Sequence, residues 1–318
     1  MKFAYLIFVH RDPQQFIRLL QRLDTPDSLF FVHVDKKAAI EAFKKVEAFV
    51  DPAKIIWLKR WNIVWAGFNS IKATLHGLEQ VAQYPGNVSH VSFISGQDYP
   101  LKPIEQYHDF LKQHAGYSFL EYSPLPRPGW QNGGLDRIHY YHVYFKSFKL
   151  AFPLVSFLKV KLEHSTQPKW NFLKKLVKYL PSARKFPRPF LKGYQPYEGS
   201  SWFTFSGHFV KEILTEIKSN KAFYEFFRYT QCADEIFFQT LLVNRLKGEL
   251  EKVINNNQRY IEFDNTTGRP FDYTTDHFET LKHSGDFFAR KFNMEKSNLL
   301  MQKIDEELLQ IKKTTIND

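Results

Sequence analysis

The sequence predicts an α/β fold: a mostly parallel central sheet with helices on both faces. Three observations carry this expectation. Short continuous apolar runs alternate with segments whose apolar residues recur at helical spacing, as in strand–helix–strand units. The runs end in polar residues, as strands do where a parallel sheet presents a ligand site at its carboxyl edge. No stretch approaches the ~20 apolar residues that a membrane span requires.

The elements follow in order. Phe3–Val9 is an apolar run bounded by charge and reads as a buried first strand; it is too short, and lacks the small-residue cleavage site, for a signal peptide. Asp12-Pro13 supplies an N-cap and a first-turn proline, and Phe16, Leu19, Leu20 and Leu23 follow on one helical face. Leu29–Val34 is the second strand and ends at Asp35. A helix carrying Ile40, Phe43 and Val46 leads to a third strand, Ile55–Leu58. Ser70–Gln83 reads as a helix with Ile71, Leu75 and Leu78 inward. His90–Ser95 is the fourth strand. Pro103 opens a helix through His114, Gly116 closes it, and Ser118–Tyr122 is the fifth strand.

Residues 123–198 change character. Prolines, Trp130, Tyr140, Tyr141, Tyr144, Tyr194 and Tyr197 mix with Lys and Arg, and periodicity weakens. An aromatic-rich excursion with short helices around 150–163 and 170–180 is expected, since long irregular segments in compact domains are usually functional. Beyond it, Trp202–Phe205 reads as a strand, Gly207–Lys218 and Lys221–Tyr229 as helices, and Ala233–Lys247 as a helix opened by Asp234-Glu235. Arg259–Phe263 reads as a strand, and the segment from Asp276 onward as helical, polar and charged.

Composition narrows the function. Aromatics reach 17%, with 32 Phe and 16 Tyr, which suits stacking on bases and sugar rings as well as a core. Cys232 is the one cysteine, so no intramolecular disulfide can form and nothing points to an oxidising compartment. The net charge of +11 fits nucleic acid, an anionic membrane surface or a phosphorylated small molecule. The basic residues are scattered rather than gathered on one element, which disfavours nucleic acid. No glycine-rich phosphate loop, Asp-x-Asp metal clamp or zinc-spaced His/Cys cluster is present.

Three segments stand out: Phe31-Val32-His33-Val34-Asp35, Ser95-Gly96-Gln97-Asp98-Tyr99-Pro100-Leu101 and Phe288-Ala289-Arg290-Lys291-Phe292. With Trp65-Ala66-Gly67-Phe68, Gly199-Ser200-Ser201-Trp202-Phe203 and Asp234-Glu235 in the same order, the chain resembles the core-2/I-branching β-1,6-N-acetylglucosaminyltransferase family, which includes the peptide xylosyltransferases. The resemblance runs from Phe3 to about Asn293. Each piece alone is weak; six in order are strong.

The resemblance implies a GT-A-like fold and an inverting enzyme that needs no divalent metal or other cofactor. It places Asp35 at the uridine of a UDP-sugar, where a carboxylate accepts from N3–H or ribose hydroxyls; the residue alone reads equally as a helix cap. Trp65 falls near the nucleotide. Gly96 and Asp98 match a tight turn beside the donor, although Asp98-Tyr99-Pro100 also reads as a plain turn. Arg290 and Lys291 match a basic pair on the diphosphate, where fixed cations stabilise a departing UDP; a solvated pair on a surface helix is the alternative. Glu235 matches the catalytic base, against a simple helix-dipole role for Asp234-Glu235. Glu121 matches an acidic residue that holds acceptor hydroxyls, with Trp130, Arg137 and Trp202 as further acceptor-side residues.

Two departures stand against the pattern. Where some relatives carry a further diphosphate arginine, this chain reads Phe271-Asp272-Tyr273-Thr274-Thr275, with Arg269 nearby. A relative's acceptor-stacking tryptophan and its tyrosine partner fall at Phe263 and Asn265, which opens the identity of the acceptor.

The expectation is therefore one catalytic domain over residues 1–293, with a nucleotide-sugar half (1–122) and an acceptor and base half (123–293), followed by a helical tail (294–318). The expected reaction moves GlcNAc first, or xylose second, from a UDP-sugar to a glycan or glycolipid hydroxyl. The expected location is cytoplasmic, with peripheral contact at the anionic inner membrane face. A glycoside hydrolase, pairing Glu235 with Asp98 or Glu121, and a non-catalytic glycan- or nucleic-acid-binding protein are the rival readings.

Overall fold

The computed structural model describes residues 1–144, 149–152, 188–264 and 268–311. The chain runs β1 (Lys2–Val9), α1 (Pro13–Leu23), β2 (Ser28–Val34), α2 (Ile40–Lys44), β3 (Ile55–Trp57), α3 (Asn69–Gln83), β4 (Val88–Ser95), β5 (Asp98–Pro100), α4 (Ile104–Gln113), β6 (Ser118–Leu120), β7 (Ser123–Pro124), α5 (Asp136–His139), β8 (Tyr141–Tyr144) and β9 (Lys149–Phe152). It continues with β10 (Tyr197–Glu198), β11 (Phe203–Ser206), α6 (Gly207–Ser219), α7 (Lys221–Phe227), α8 (Phe237–Arg245), β12 (Val253–Ile254), β13 (Arg259–Ile261), α9 (Phe278–His283), β14 (Phe288–Arg290) and α10 (Met294–Glu307).

The central sheet has seven strands in the order β12–β6–β11–β4–β1–β2–β3. β1 to β4 are mutually parallel where they pair, β12 is parallel to β6, and β11 runs antiparallel to both its neighbours. β1 shows why both faces must be covered. Phe3, Tyr5, Ile7 and Val9 enter one core cluster with α1, α4, α9 and α10, while Ala4 and Leu6 enter a second with α3, α6, α7 and α8. A smaller three-stranded sheet, β13–β14–β5, brings Arg290 opposite Asp98.

Several expected elements change on the structure. The Asp12 side chain forms no cap bond at α1; it pairs with Arg11 instead. Asp234 and Glu235 do not open a long helix: they form a 3-10 turn over Ala233–Glu235, set off from α8 by the non-helical backbone of Ile236 and entered from left-handed Cys232. Arg259–Phe263 contributes only Arg259–Ile261 as strand, and outside the central sheet. Arg290 lies on a strand, not a surface helix. Residues 150–152 belong to β9, and the remainder of the helices expected around 150–163 and 170–180 lies outside the described residues.

The segment after residue 293 is helical, as expected, through Glu307. It packs inward rather than trailing: Leu300, Met301 and Ile304 are fully buried in the first core cluster. Asp305 receives Arg18 at 2.9 Å, Arg22 at 2.6 Å and the Tyr99 hydroxyl at 2.6 Å, which ties α10 to α1 and β5.

Candidate functional site

The carboxyl ends of β1, β2 and β4 converge on one edge. Asp35 follows β2 and is buried. Its Oδ1 accepts from the Lys37 amide at 2.8 Å, its Oδ2 from the Ile63 amide at 3.3 Å, and the Lys37 ammonium lies 3.4 Å from Oδ2. Asp35 therefore caps no helix, since α2 starts after Ala39 without a side-chain cap. It braces the loop 60–67. His33 braces the same loop: its Nε2 accepts from the Trp61 amide at 2.9 Å, and burial pushes its imidazole down to about 4, so it is neutral. The far end of the loop is held where the Ala66 carbonyl accepts from the Cys232 amide at 3.0 Å. Between these two anchors Trp65 is 81% exposed. The loop thus presents a large aromatic ring to solvent, with a face open to stacking.

Gly96 is a position only glycine fills without a shift. A Cβ there would lie 2.9 Å from the Val9 side chain, and its amide donates to the Phe8 carbonyl at 2.9 Å. Asp98, two residues on, is fully buried. Its carboxylate takes the Ser95 amide, sits 2.9 Å from the Arg259 Nε and lies 3.8 Å from the Arg290 Nη1. Sealed from solvent, it has no face open to a ligand and lies behind Arg290. Arg290 also donates to the Ser95 hydroxyl and lies over the Trp202 ring at 4.7 Å, with Arg259 over the same ring at 4.8 Å. Burial lowers the Arg290 guanidinium from its usual value, and Asp98 opposes this. Lys291 points to Asp272, Nζ to Oδ1 3.0 Å.

His10 links these two groups. Burial lowers its imidazole, Arg11, Arg290 and Lys37 lower it further, and Asp35 raises it. The Asp35 amide donates to the Val9 carbonyl at 2.8 Å, the Gly96 amide to the Phe8 carbonyl and Arg290 to the Ser95 hydroxyl, so the nucleotide and diphosphate candidates share one edge.

The second half of the site centres on Glu235. Arg137 Nη1 donates to its Oε2 at 2.5 Å, and the Arg137 guanidinium lies over Trp130 at 4.4 Å. Arg127 lies over the same ring at 5.0 Å and pairs with buried Glu198 at 2.7 Å. Burial, and then the Glu235 charge, push the Asp234 carboxyl up to about 7. Burial likewise raises Glu198, with Arg127 opposing. The Gly199 amide donates to the Glu235 carbonyl at 2.8 Å, and a Cβ on Gly199 would fall 1.9 Å from the Glu121 carbonyl. Gly199 thus lets the ends of β6 and the 233–235 turn meet. The Glu121 side chain accepts from Asn257 at 3.0 Å. Three residues beyond Gly199, Trp202 stacks on Phe93 and carries Arg290, so one short segment joins the base end to the cationic end.

The structure brings the sequence candidates together as two linked groups: Asp35, Trp65, Gly96, Asp98, Arg290 and Lys291 along the strand ends, and Glu235, Arg137, Trp130 and Glu121 around Gly199, with Trp202 between. Arg269 lies on an exposed loop. Reading the sequence missed Arg259, Asp272, Glu198 and Arg127. Each is defined by a partner far away in the chain, and no local motif marks it. Among the described residues no group of three or more His, Cys, Asp or Glu side chains is set to hold a metal ion. Nor does any described helix have the length and apolarity to cross a membrane.

A model of the Core-2/I-Branching enzyme family matches residues 3–284, most of the chain. The chain belongs to the core-2/I-branching enzyme family. The family match stops short of Arg290 and Lys291, whose placement beside Asp98 and Asp272 comes from the structure. Similar curated proteins include a probable β-1,3-galactosyl-O-glycosyl-glycoprotein β-1,6-N-acetylglucosaminyltransferase 7 from Homo sapiens, 22% identical over 77% of this chain and 49% of its own length. Xylosyltransferase 2 from Rattus norvegicus is 22% identical over 97% of this chain and 34% of its own length. The chain thus spans about half or a third of the curated relatives it matches. The solved apo structure of mouse xyloside xylosyltransferase 1 covers 91% of this chain and 97% of its own at 8% identity and a TM-score of 0.39, a likeness that carries no argument.

Proposed function

We propose that this family member is a glycosyltransferase that moves a sugar from a UDP-sugar to an acceptor hydroxyl, with inversion and without a divalent metal. The observation that carries the reading is the pairing of opposites across Trp202: fixed cations on one side, and a part-exposed carboxylate on the other. Asp35 and Trp65 hold the uridine by hydrogen bonding and stacking. Arg290 and Lys291 face the diphosphate, where negative charge grows as the bond from the anomeric carbon to the UDP oxygen breaks. Glu235 takes the proton of the acceptor hydroxyl as that oxygen forms the new bond on the opposite face of the sugar. Arg137 holds Oε2, so the proton goes to Oε1. Trp130, Arg137, Glu121 and Trp202 line the acceptor side.

The names of the relatives support GlcNAc as the first donor sugar to test and xylose as the second. A glycan or glycolipid acceptor fits the aromatic and charged side chains gathered beside Glu235, and the charge of +11 fits peripheral contact with an anionic, cytoplasmic membrane face. The hydrolase alternative weakens because Asp98, one of its two carboxylate partners, is fully buried in an ion pair.

The test is a donor panel. Purified protein incubated in EDTA with UDP-GlcNAc, UDP-xylose and other UDP-sugars, plus a mixed glycan acceptor pool, should release UDP from one donor and give a product of inverted anomeric configuration by NMR. No donor turned over, or retained configuration, would contradict the reading.

A further inference from the structure

The two cations of the diphosphate site have different counterions. Arg290 leans on Asp98, which is sealed from solvent and shared with Arg259. Lys291 leans on Asp272, whose side chain keeps 19% exposure, next to 23% for Lys291 itself. Asp272 is held rigidly there. The Lys291 amide donates to the Phe271 carbonyl at 3.2 Å, and the Tyr273 amide donates to the Lys291 carbonyl at 3.0 Å, so backbone bonds bracket Asp272 on both sides. Fully buried Tyr273 pins the segment, and its hydroxyl accepts from the Glu262 amide at 3.0 Å. The second Asp272 oxygen is taken by Lys296 at 3.4 Å. Burial raises the Asp272 carboxyl, but Lys291 and Lys296 outweigh it and keep the group below its usual value, hence ionised.

A diphosphate arriving at Lys291 therefore meets a carboxylate already in possession. On the reading that Lys291 binds the donor diphosphate, we infer that Asp272 is a positioning residue, a resting counterion that holds the Lys291 ammonium while the site is empty, yields it to the donor and takes it back as UDP leaves. Lys296 tunes the exchange by sharing the carboxylate. The arrangement replaces a further cation with a release device: it weakens the hold on UDP, product and donor alike, and so favours turnover.

The signs are opposite for the two neighbours, which a purely structural role would not produce. Asp272→Asn should tighten UDP binding by about tenfold and lower kcat together with KM, because the product leaves more slowly. Lys296→Ala, which leaves Asp272 to Lys291 alone, should weaken UDP binding by about threefold. Asp276→Asn removes a nearby exposed carboxylate that does not pair with Lys291, and should change nothing. The effect of Asp272→Asn should vanish in a Lys291→Ala background. These values come from calorimetric titration of the full chain with UDP, with thermal melts as the folding control. If wild type binds UDP, Lys291→Ala weakens it, and Asp272→Asn is unchanged or weaker, the inference fails and the donor reading stands. If wild type binds no UDP, both fall. Should Asp272→Asn not fold, the Lys296→Ala result decides: tighter or unchanged binding overturns the inference.

Discussion

The cationic end and the base end of the site are built from the same kinds of pair with the roles reversed. At Arg290 and Lys291 the cations face the proposed ligand, and carboxylates support them from behind. At Glu235 the carboxylate faces the ligand, and Arg137 supports it. Exposure separates actor from support. Asp98 is fully buried behind Arg290, whose side chain is 18% exposed. Glu235 is 36% exposed against 24% for Arg137. Ion pairing alone therefore says little about function; the more open partner is the one a ligand can reach, and the sealed one fixes its position.

If that comparison holds, variants of the open partner should change chemistry and variants of the sealed partner should change stability. The largest effect is expected for Glu235→Gln, which should lower turnover by about 10²–10⁴ while UDP binding survives, read by steady-state kinetics and titration. Unchanged turnover would remove the base assignment. Asp98→Asn strips the buried partner from Arg259 and should cost about 3–5 kcal/mol of stability in chemical denaturation, with loss of UDP binding as Arg290 loses its anchor. Trp65→Ala should leave stability within about 0.5 kcal/mol. It should weaken UDP by roughly tenfold, in line with the loss of one stacked base.

A pH dependence should appear in stability alone. Asp234 is raised from 3.8 to about 7 in the folded protein. The native state thus holds its proton longer than the unfolded chain, so this contribution to stability is full below pH 3.8 and is lost as pH rises towards about 7. Denaturation midpoints across that window should fall for wild type and flatten for Asp234→Asn. Parallel slopes would mean the group is not perturbed as its surroundings indicate.

How much of this was legible in the sequence follows from chain distance. The parallel core and its strand-end residues were visible because each is written in a short window of residues; the Asp234-Glu235 pair was visible too, but as the start of a helix rather than the 3-10 turn it forms. The apolar face of α10, with Leu300, Met301 and Ile304, was also there to read but was masked by the charged residues around it. Arg259, Asp272 and Glu198 were not legible. Their meaning arises only when β5, β13 and β14 assemble into a sheet of their own, and when Arg127 folds back to Glu198. The 3-10 turn at Glu235 depends on the left-handed backbone of Cys232, which no residue preference there announces.

The most direct test of the central claim is calorimetric titration of the purified protein with UDP, once in EDTA and once with Mn²⁺, beside Lys291→Ala. The account predicts micromolar binding in EDTA, little gain from Mn²⁺ and a large loss in the variant. Binding that appears only with Mn²⁺, or none in either buffer, would contradict a donor site built on Arg290 and Lys291.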